Sequence, residues 1–228
     1  MIRAVVFDFD GLIIDTETPS YHAFCEVYRE YGAELPFEMY AKCVGTTFEH
    51  FDPHLYLSEC VGEAIDPKLV NTRFRAVYSR LMSESALRPG VVEYLQTARK
   101  LQIKTAIATS ASLSWVEPYL QRFELKDYFD HITTADDVSK VKPDPELYLQ
   151  SLSKLGVAAE EAISFEDSLN GFKAARAAGL NCVVVPNEMT KQFAFADYDL
   201  MMDSMADRSL EEVIHLLSRV NESNRSGT

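Results

Sequence analysis

Two aspartates lie close together at the end of a short apolar run near the start of the chain. Residues Ala4–Phe7 have the pattern of a buried strand, and Asp8, Asp10 and Gly11 follow directly. Asp8 and Asp10 are separated by one residue, so their side chains point the same way from a strand, and glycine lets the backbone turn beside them. The pair could supply a nucleophile and a second acid or base at a strand tip, where ligands bind in open α/β sheets. The same residue types also form ordinary solvated turns, so the pair alone does not decide the matter.

Polar residues follow three further predicted strands. They are Thr109 with Ser110, Lys142, and Glu166 with Asp167 and Ser168. Each has an ordinary alternative on its own: a serine before a helix is most often an N-cap, a lone lysine is usually on the surface, and an acidic strand end can cap the next helix. Parallel strands end at one edge of a sheet, so all four groups converge there whatever their separation in sequence. This convergence favours a functional site over four unrelated turns.

These residues could act together on a phosphate ester. Asp8 can attack phosphorus as a carboxylate nucleophile and form an acyl phosphate, while Asp10 protonates the leaving oxygen and later deprotonates water. Hard carboxylate oxygens suit Mg²⁺, which would also let a carboxylate approach an anionic phosphate. The candidate metal ligands are Asp8, Asp10, Glu166 and Asp167.

The phosphate itself needs cationic and N–H partners. Ser110 and the amides of Ala111 and Ser112 precede a predicted helix, where unpaired N–H groups and the positive end of the dipole favour an anion. Lys142 adds a point positive charge. Without the lysine and the metal, the carboxylates and a phosphate would repel each other strongly in a partly dry site. We therefore expect Ser110, Ala111 and Lys142 to bind the substrate phosphate.

The elements that must position these residues alternate along the chain. Apolar runs of strand length alternate with segments of helical periodicity, which predicts an α/β fold with a parallel sheet and helices on both faces. The predicted strands are Ala4–Phe7, Ile103–Ala108, Tyr128–Thr134, Ala162–Phe165 and Cys182–Val185, and the predicted helices of this part are Val91–Lys100, Trp115–Phe123, Pro145–Leu155, Leu169–Ala178 and Leu210–Val220.

Residues 16–85 depart from this alternation. Their apolar residues have helical spacing throughout, which indicates a helical insertion after the first strand. We expect hinges near Asp15 and Ser85. The expected parts are a catalytic core of residues 1–15 and 86–220, a helical cap of residues 16–85 and a disordered tail of residues 221–228.

Composition narrows the class of protein. The 228 residues include 22 basic and 35 acidic side chains, for a formal charge of −13, which disfavours capture of nucleic acid or of an anionic membrane. No signal peptide or membrane-spanning run is evident, so we expect a cytoplasmic protein. The four cysteines have no metal-ligand spacing and are expected to be buried free thiols. We expect a monomer or weak dimer whose partner is a small phosphorylated metabolite.

Four motifs together resemble those of the haloacid dehalogenase-like phosphatase superfamily. Asp8-Phe9-Asp10-Gly11-Leu12, with Asp15-Thr16-Glu17 soon after, is similar to the first motif, and Ser110, Lys142 and Glu166-Asp167 follow in the order of the other three. The insertion is similar to the small helical cap of the β-phosphoglucomutase and phosphoglycolate phosphatase branch. The resemblance spans nearly the whole chain. It implies a Rossmann-like core, a mobile cap that closes over the substrate, Mg²⁺, and the roles of Asp8 and Asp10 given above.

The insertion is where the chain departs from this family. The mutases carry an arginine for the distal phosphate after the loop that resembles residues 44–47, and Phe48 stands there. One extra residue at the start of the insertion leaves the position of His22 open. The insertion has 6 basic and 11 acidic side chains, which disfavours a polyanionic substrate. The candidate substrate contacts are His22, Phe48, His50, Phe51 and Arg75, although Phe48 and Phe51 also suit the core of the insertion.

The leading hypothesis is a Mg²⁺-dependent phosphatase for a small phosphomonoester such as a sugar phosphate or phosphoglycolate. A phosphosugar mutase is the near alternative, and it would form an isomeric product without releasing phosphate. A third hypothesis is a non-catalytic phosphoryl-accepting or ligand-binding module, since receiver domains also place Mg²⁺ at an acidic strand tip near a lysine. Asp10 favours an enzyme, because a pure acceptor needs no acid for a leaving group, and it argues against a true dehalogenase, which lacks the second aspartate.

Overall fold

The computed structural model describes residues 1–41, 44 and 51–225, with side chains described as far as Ser218. Its sheet has six parallel strands in the order β3-β2-β1-β4-β5-β6. The strands are β1 Ala4–Phe7, β2 Lys104–Ala108, β3 His131–Thr133, β4 Ala162–Glu166, β5 Asn181–Val184 and β6 Leu200–Met201. This confirms the predicted α/β class, and the strand order is that of a Rossmann-like core.

Helices connect and follow these strands. In chain order they are α1 Glu17–Glu30, α2 Phe37–Tyr40, α3 Pro53–Val61, α4 Pro67–Ser83, α5 Val91–Lys100, α6 Leu113–Arg122, α7 Glu146–Leu155, α8 Leu169–Ala177 and α9 Leu210–Arg225. The sequence of α5 shows why such a segment forms a helix that packs on the core. Its buried residues Val91, Tyr94, Leu95 and Ala98 recur at the spacing of one helix face.

The described chain divides into two compact units. The first comprises Met1–Ile14, Leu87–Asn187 and Phe193–Thr228, and it contains the sheet. The second comprises Asp15–Ala86 and Glu188–Gln192. The two breaks lie next to the expected hinges. The segment Glu188–Gln192 belongs to the second unit, although it lies within residues 86–220, which were predicted to form the core.

The sheet is buried on both faces. Val6 of β1 shares a core cluster with Tyr148 of α7. On the other face, Phe165 of β4 stacks on Phe7 at 5.4 Å between ring centroids and meets Tyr94 of α5 edge-on at 5.2 Å. Successive side chains of a strand point to opposite faces. Every position of β1 is therefore apolar, as expected for a strand that helices cover on both sides.

The parallel register aligns the strand ends that carry the candidate chemistry. Phe7 lies opposite Ile107 of β2 and Phe165 of β4. Asp8 continues the pairing, because its amide donates to the carbonyl of Phe165 at 3.0 Å. Asp8 therefore comes next to Glu166, the last residue of β4, at the carboxyl edge of the sheet.

The second unit has an aromatic core of its own between α1 and α4. The rings of Phe24 and Phe74 lie 4.3 Å apart, and Tyr28 is fully buried with its hydroxyl donating to a carbonyl of α3 at 2.5 Å. Glu30 and Arg73 form an exposed ion pair between the same helices, with a nitrogen–oxygen distance of 2.6 Å. Such exposed pairs contribute at most about 1 kcal/mol. Aromatic burial therefore contributes more to the stability of this unit than the exposed ion pair does.

Some boundaries differ from the prediction. The strand predicted at Tyr128–Thr134 is shorter, His131–Thr133, because Lys126–Tyr128 forms a 3₁₀ turn. The edge strand β6 has no counterpart in the prediction, because two residues show no periodicity. Helix α9 continues to Arg225, whereas the polar sequence from residue 221 predicts a disordered tail. Polar residues can extend a helix whose earlier turns are anchored by buried side chains. Residues 226–228 lie outside the described part of the chain.

The cysteines differ in part from the expectation that all four are buried thiols. Cys182 is buried and Cys25 is half-buried, but Cys60 is exposed, so the expectation of buried thiols is wrong for Cys60. Cys43 lies outside the described residues.

Among the helices described here, none combines the length and the apolar character needed to cross a membrane.

Replacing Phe165 tests the packing of the sheet. Phe165→Ala removes a fully buried ring that contacts Phe7 and Tyr94, so we expect the free energy of unfolding to fall by about 3–5 kcal/mol. Leu149→Ala is the control, since this side chain on α7 is 49% exposed, and it should change the free energy by less than about 0.5 kcal/mol. Urea unfolding followed by circular dichroism measures both. Equal losses would contradict the packing described here.

Candidate active site

A buried lysine joins two carboxylates at the carboxyl edge of the sheet. The Lys142 ammonium donates to Asp8 Oδ1 and lies 2.7 Å from Glu166 Oε1. The side chains of Lys142, Asp8 and Glu166 are only 5%, 9% and 0% exposed. Burial alone would lower the pKa of Lys142, but the charges of Asp8 and Glu166 raise it above its ordinary value, so the ammonium stays protonated. The structure thus brings together three of the residues that the sequence analysis selected.

The loop between β3 and α7 holds Lys142 in this position. Glu146 begins α7, and its two carboxylate oxygens accept hydrogen bonds from the amides of Ser139 and Lys140, each at 2.9 Å. The amide of Glu146 itself donates to Asp144 Oδ1 at 3.1 Å. The loop on both sides of Lys142 is therefore tied to the start of the helix.

Glu166 is completely buried and has Tyr148 as a second partner. The Tyr148 hydroxyl donates to Glu166 Oε1. Burial raises the pKa of Glu166, Lys142 lowers it and Asp8 raises it again, with a net rise to about 7. Burial, followed by the charge of Glu166, raises the pKa of Tyr148 well above its ordinary value, so the phenol remains a donor. A Cβ atom at Gly171 would stand 1.9 Å from Glu166 Oε2, so glycine is what lets α8 approach this carboxylate.

A network that sequence reasoning missed holds Asp167. Asn187 Nδ2 donates to Asp167 Oδ2 at 2.7 Å and to the carbonyl of Gly11 at 3.3 Å. The Arg88 guanidinium donates to the same carbonyl at 2.6 Å, and to two carbonyls of the loop after β5 at 2.9 and 2.8 Å. The turn after β1 is therefore tied to the loop after β5. Neither Asn187 nor Arg88 carries a local sequence signal, because their partners are distant in the chain.

Asp10 has a partner on α6 that was also missed. The indole Nε1 of Trp115 donates to Asp10 Oδ1 at 2.9 Å. Asp10 is half-buried, whereas Asp8 is buried. Trp115 is the only tryptophan in the sequence, and it stands shortly after the polar end of β2. These two features could have marked it as a residue of the site.

The predicted phosphate-binding loop differs in part from expectation. Ser110 is exposed and follows β2, as predicted. The Ala111 amide, expected to be an unpaired donor, instead donates to Thr109 Oγ1 at 3.0 Å. The Leu113 amide, in the first turn of α6, donates to Asp136 Oδ2 at 2.8 Å. The expectation of an unpaired Ala111 amide is therefore wrong for this structure, because a threonine side chain can bond to the backbone two residues on.

Three carboxylates form a candidate metal-binding group. One oxygen from each of Asp8, Glu166 and Asp167 lies within 4.8 Å of the other two. Glu166 Oε2 is buried and has no hydrogen-bond partner in the described part of the chain. Buried, hard carboxylate oxygens fit a cation such as Mg²⁺. Asp10, also expected as a ligand, is outside this group, and its Oδ1 accepts the hydrogen bond from Trp115.

The candidate contacts in the insertion are only partly described. His22 is exposed on α1, where its ring lies 5.7 Å from that of Tyr21, and Arg75 is exposed on α4. Phe51 is buried, which supports the alternative that it belongs to the core of the insertion. Phe48 and His50 lie outside the described residues, as does most of the loop at residues 44–47.

Known hydrolases are similar to this chain. A family model described as "Haloacid dehalogenase-like hydrolase" matches residues 5–185. The chain is 42% identical over 224 residues to "Putative phosphatase YhcW" of Bacillus subtilis (strain 168), covering 98% of this chain and 100% of that protein. It is 34% identical over 181 residues to "Phosphorylated carbohydrates phosphatase" of Thermotoga maritima, covering 78% of this chain and 82% of that protein.

A solved structure shows the same likeness in three dimensions. It is the crystal structure of a CbbY mutant from Rhodobacter sphaeroides in complex with xylulose-(1,5)bisphosphate. The TM-score is 0.72 at 32% identity, covering 91% of this chain and 96% of that chain.

Substitution of Gly11 tests the turn that carries the two aspartates. Gly11 has a φ of +81°, and a Cβ atom there would lie 2.2 Å from Asp167 Oδ2. Gly11→Ala should displace Asp167 as well as strain the backbone. We expect a loss of about 2 kcal/mol in the free energy of unfolding and a fall of at least about 10-fold in turnover of p-nitrophenyl phosphate.

Gly156→Ala is the matched control. Gly156 has a φ of +66° with nothing within 4 Å of the added Cβ atom, so this variant should lose about 1 kcal/mol and keep its activity. Full activity in both variants would show that the approach of Gly11 to Asp167 has no functional role.

Proposed function

Because the chain belongs to the haloacid dehalogenase-like hydrolase family and is a phosphatase, we propose that it hydrolyses a small phosphorylated sugar or a similar phosphomonoester through a phosphoaspartate on Asp8, with Mg²⁺ as cofactor. The observation that carries this proposal is the buried group in which Lys142 joins Asp8 and Glu166, with Asp167 beside them. A carboxylate nucleophile, a cation and hard metal ligands stand together there. Attack on an anionic phosphate needs all three.

In the first step, an Asp8 carboxylate oxygen attacks phosphorus, and the bond from phosphorus to the leaving oxygen breaks as an acyl phosphate forms. The hydrogen bond from Lys142 orients Asp8, and the positive charge of Lys142 offsets the negative charge of the incoming phosphate. Asp10 gives its proton to the leaving oxygen, which departs as the hydroxyl of an alcohol.

In the second step, water attacks the phosphorus of the acyl phosphate and Asp10 takes a proton from that water. The bond between phosphorus and the Asp8 oxygen breaks, which releases phosphate and restores the Asp8 carboxylate. One carboxyl group thus acts first as an acid and then as a base, so its orientation must suit both steps. The hydrogen bond from Trp115 to Asp10 Oδ1 is a contact that can hold that orientation.

Asp8, Glu166 and Asp167 are the residues that would hold Mg²⁺. When bound, the ion would neutralise charge on the phosphate oxygens and so lower the barrier to attack by a carboxylate. Two like unit charges 4.8 Å apart repel by about 3–4 kcal/mol at an effective dielectric constant of ~20. The single charge of Lys142 would therefore not balance the group in the state where Glu166, whose pKa is raised to about 7, is ionised together with the two aspartates. The unpartnered Oε2 of Glu166, within the described chain, also supports a cation at this place.

A phosphorylated sugar is the substrate class that we propose. One similar protein is named for phosphorylated carbohydrates, and a similar crystal structure contains a sugar bisphosphate. The acidic balance of residues 16–85, with 6 basic and 11 acidic side chains, disfavours longer polyanions. His22, His50 and Arg75 stay the candidate contacts. Phe48, where the resemblance to mutases expects an arginine, favours hydrolysis over isomerisation.

Asp8→Asn tests the nucleophile. We expect the wild-type enzyme to release phosphate from at least one sugar monophosphate in a panel that also contains phosphoglycolate and p-nitrophenyl phosphate. Asp8→Asn should lower kcat by at least about 10³-fold, because an amide is a poor nucleophile, with an unchanged circular dichroism spectrum. Asp127→Asn, the same change at an exposed aspartate, should leave kcat unchanged.

Each contrary outcome points to another hypothesis. Full turnover by Asp8→Asn would exclude the phosphoaspartate. An isomeric sugar phosphate formed without phosphate release would identify a mutase. A single phosphorylation without turnover would identify a phosphoryl-accepting module.

Chelation tests the cofactor. Treatment with EDTA should lower turnover of p-nitrophenyl phosphate by at least about 100-fold, and added Mg²⁺ should restore it. Asp167→Asn should raise the Mg²⁺ concentration needed for half-maximal activity by about 10–100-fold, since it removes one charged ligand, while Asp127→Asn should not. Undiminished activity after chelation would contradict the metal site.

A further inference from the structure

The contact between Trp115 and Asp10 is a hydrogen bond to a carboxylate from a group that can only donate. It joins a side chain from the first half of α6 to a residue 105 positions earlier, with the indole Nε1 donating at 2.9 Å to Asp10 Oδ1. An indole N–H can only donate a hydrogen bond and does not ionise at neutral pH. It therefore orients a neighbouring carboxylate, whose charged form it also favours, without competing for the proton.

The surroundings of Trp115 restrict the direction of that N–H. The indole meets the ring of Tyr119, one helical turn later, edge-on at 5.2 Å between centroids. Tyr119 in turn lies 6.2 Å from Phe9, the residue between the two aspartates. The start of α6 is fixed as well, because the Leu113 amide donates to Asp136. The helix and the strand end are thus packed together around this hydrogen bond.

We propose that Trp115 is a positioning residue for Asp10: its N–H keeps Asp10 Oδ1 as an acceptor, so that the proton passed to the leaving group and taken from water is carried on Oδ2. This inference rests on the acid and base role proposed for Asp10. The two oxygens of a carboxylate exchange places by rotation about χ2, which is a broad torsion. A donor fixed to one oxygen removes that freedom and presents the same oxygen in both steps.

The expected effect follows from this role. Loss of the N–H should leave substrate binding unchanged and slow the proton transfers, so kcat should fall while KM stays the same. Small misplacements of a catalytic group cost up to about 100-fold in rate, and loss of a single orienting hydrogen bond should cost about 10-fold.

Trp115→Phe and Asp10→Asn, alone and together, test the proposal. Trp115→Phe keeps an aromatic ring and removes the donor. We expect it to lower kcat for p-nitrophenyl phosphate and for a sugar phosphate by about 10-fold, with KM unchanged. In the Asp10→Asn background it should have no further effect, because no proton is then exchanged at that position. Single-turnover measurements with enzyme in excess keep the slow variants measurable.

Gln121→Ala is the control on the same helix, since it shortens an exposed side chain of α6 and leaves the contact between Trp115 and Asp10 in place; its kcat should match the wild type. A wild-type kcat in Trp115→Phe would overturn the proposal, as would an equal loss in both backgrounds, which would indicate a merely structural role. Full turnover by Asp10→Asn itself would instead overturn the proposed role of Asp10, and this inference with it.

Fluorescence gives an independent readout, because Trp115 is the only tryptophan in the chain. Asp10→Ala removes the acceptor that the Trp115 indole contacts, so we expect a changed emission maximum or intensity. Glu211→Gln, at an exposed position of α9, should leave the emission unchanged. Identical emission in Asp10→Ala and wild type would show that the contact is absent in solution and would overturn the proposal.

Discussion

The bond from Lys142 to Asp8 and Glu166 is the interaction on which the rest of this site depends. All three side chains are buried, and a buried charge is costly unless it is paired and hydrogen-bonded. Two carboxylates that end neighbouring parallel strands would repel each other, and the ammonium between them offsets that repulsion. The strand register places the carboxylates, and the loop tied to Glu146 places the ammonium. The group forms only when the strand register and the loop position are both correct.

A second set of contacts keeps the carboxylates in fixed orientations. Tyr148 donates to Glu166, Trp115 donates to Asp10, and Asn187 donates to Asp167. A phenol of raised pKa, an indole and a carboxamide all donate without giving up a proton at neutral pH. They therefore orient acidic groups without acting as acids or bases themselves. In the mechanism proposed here, Asp10 makes the proton transfers and Lys142 supplies a fixed charge.

Local sequence patterns predicted most helices and strands of the core, and they failed at particular residues. Helix α5 matches its prediction at both ends, because its four buried residues fall on one face. Strand β5 was predicted at Cys182–Val185 and is Asn181–Val184, since apolar character and strand pairing do not end at the same residue. Strand β6 is recognisable only by its pairing with β5. The hydroxyl of Thr109 engages the Ala111 amide, an outcome that depends on one side-chain rotamer.

By itself the sequence determined the α/β class, the helical insertion and the residue types at the strand ends, because periodicity and chain order are local properties. The four motifs of the family resemblance selected Asp8, Lys142 and Glu166, and the structure brings these residues together. Only the tertiary structure decided the further partners: Trp115 for Asp10, and Asn187 for Asp167. Hydrogen bonds reach only about 3 Å. Which groups meet at that distance depends jointly on strand register, helix rotation and loop path, and no single segment of the chain encodes all three.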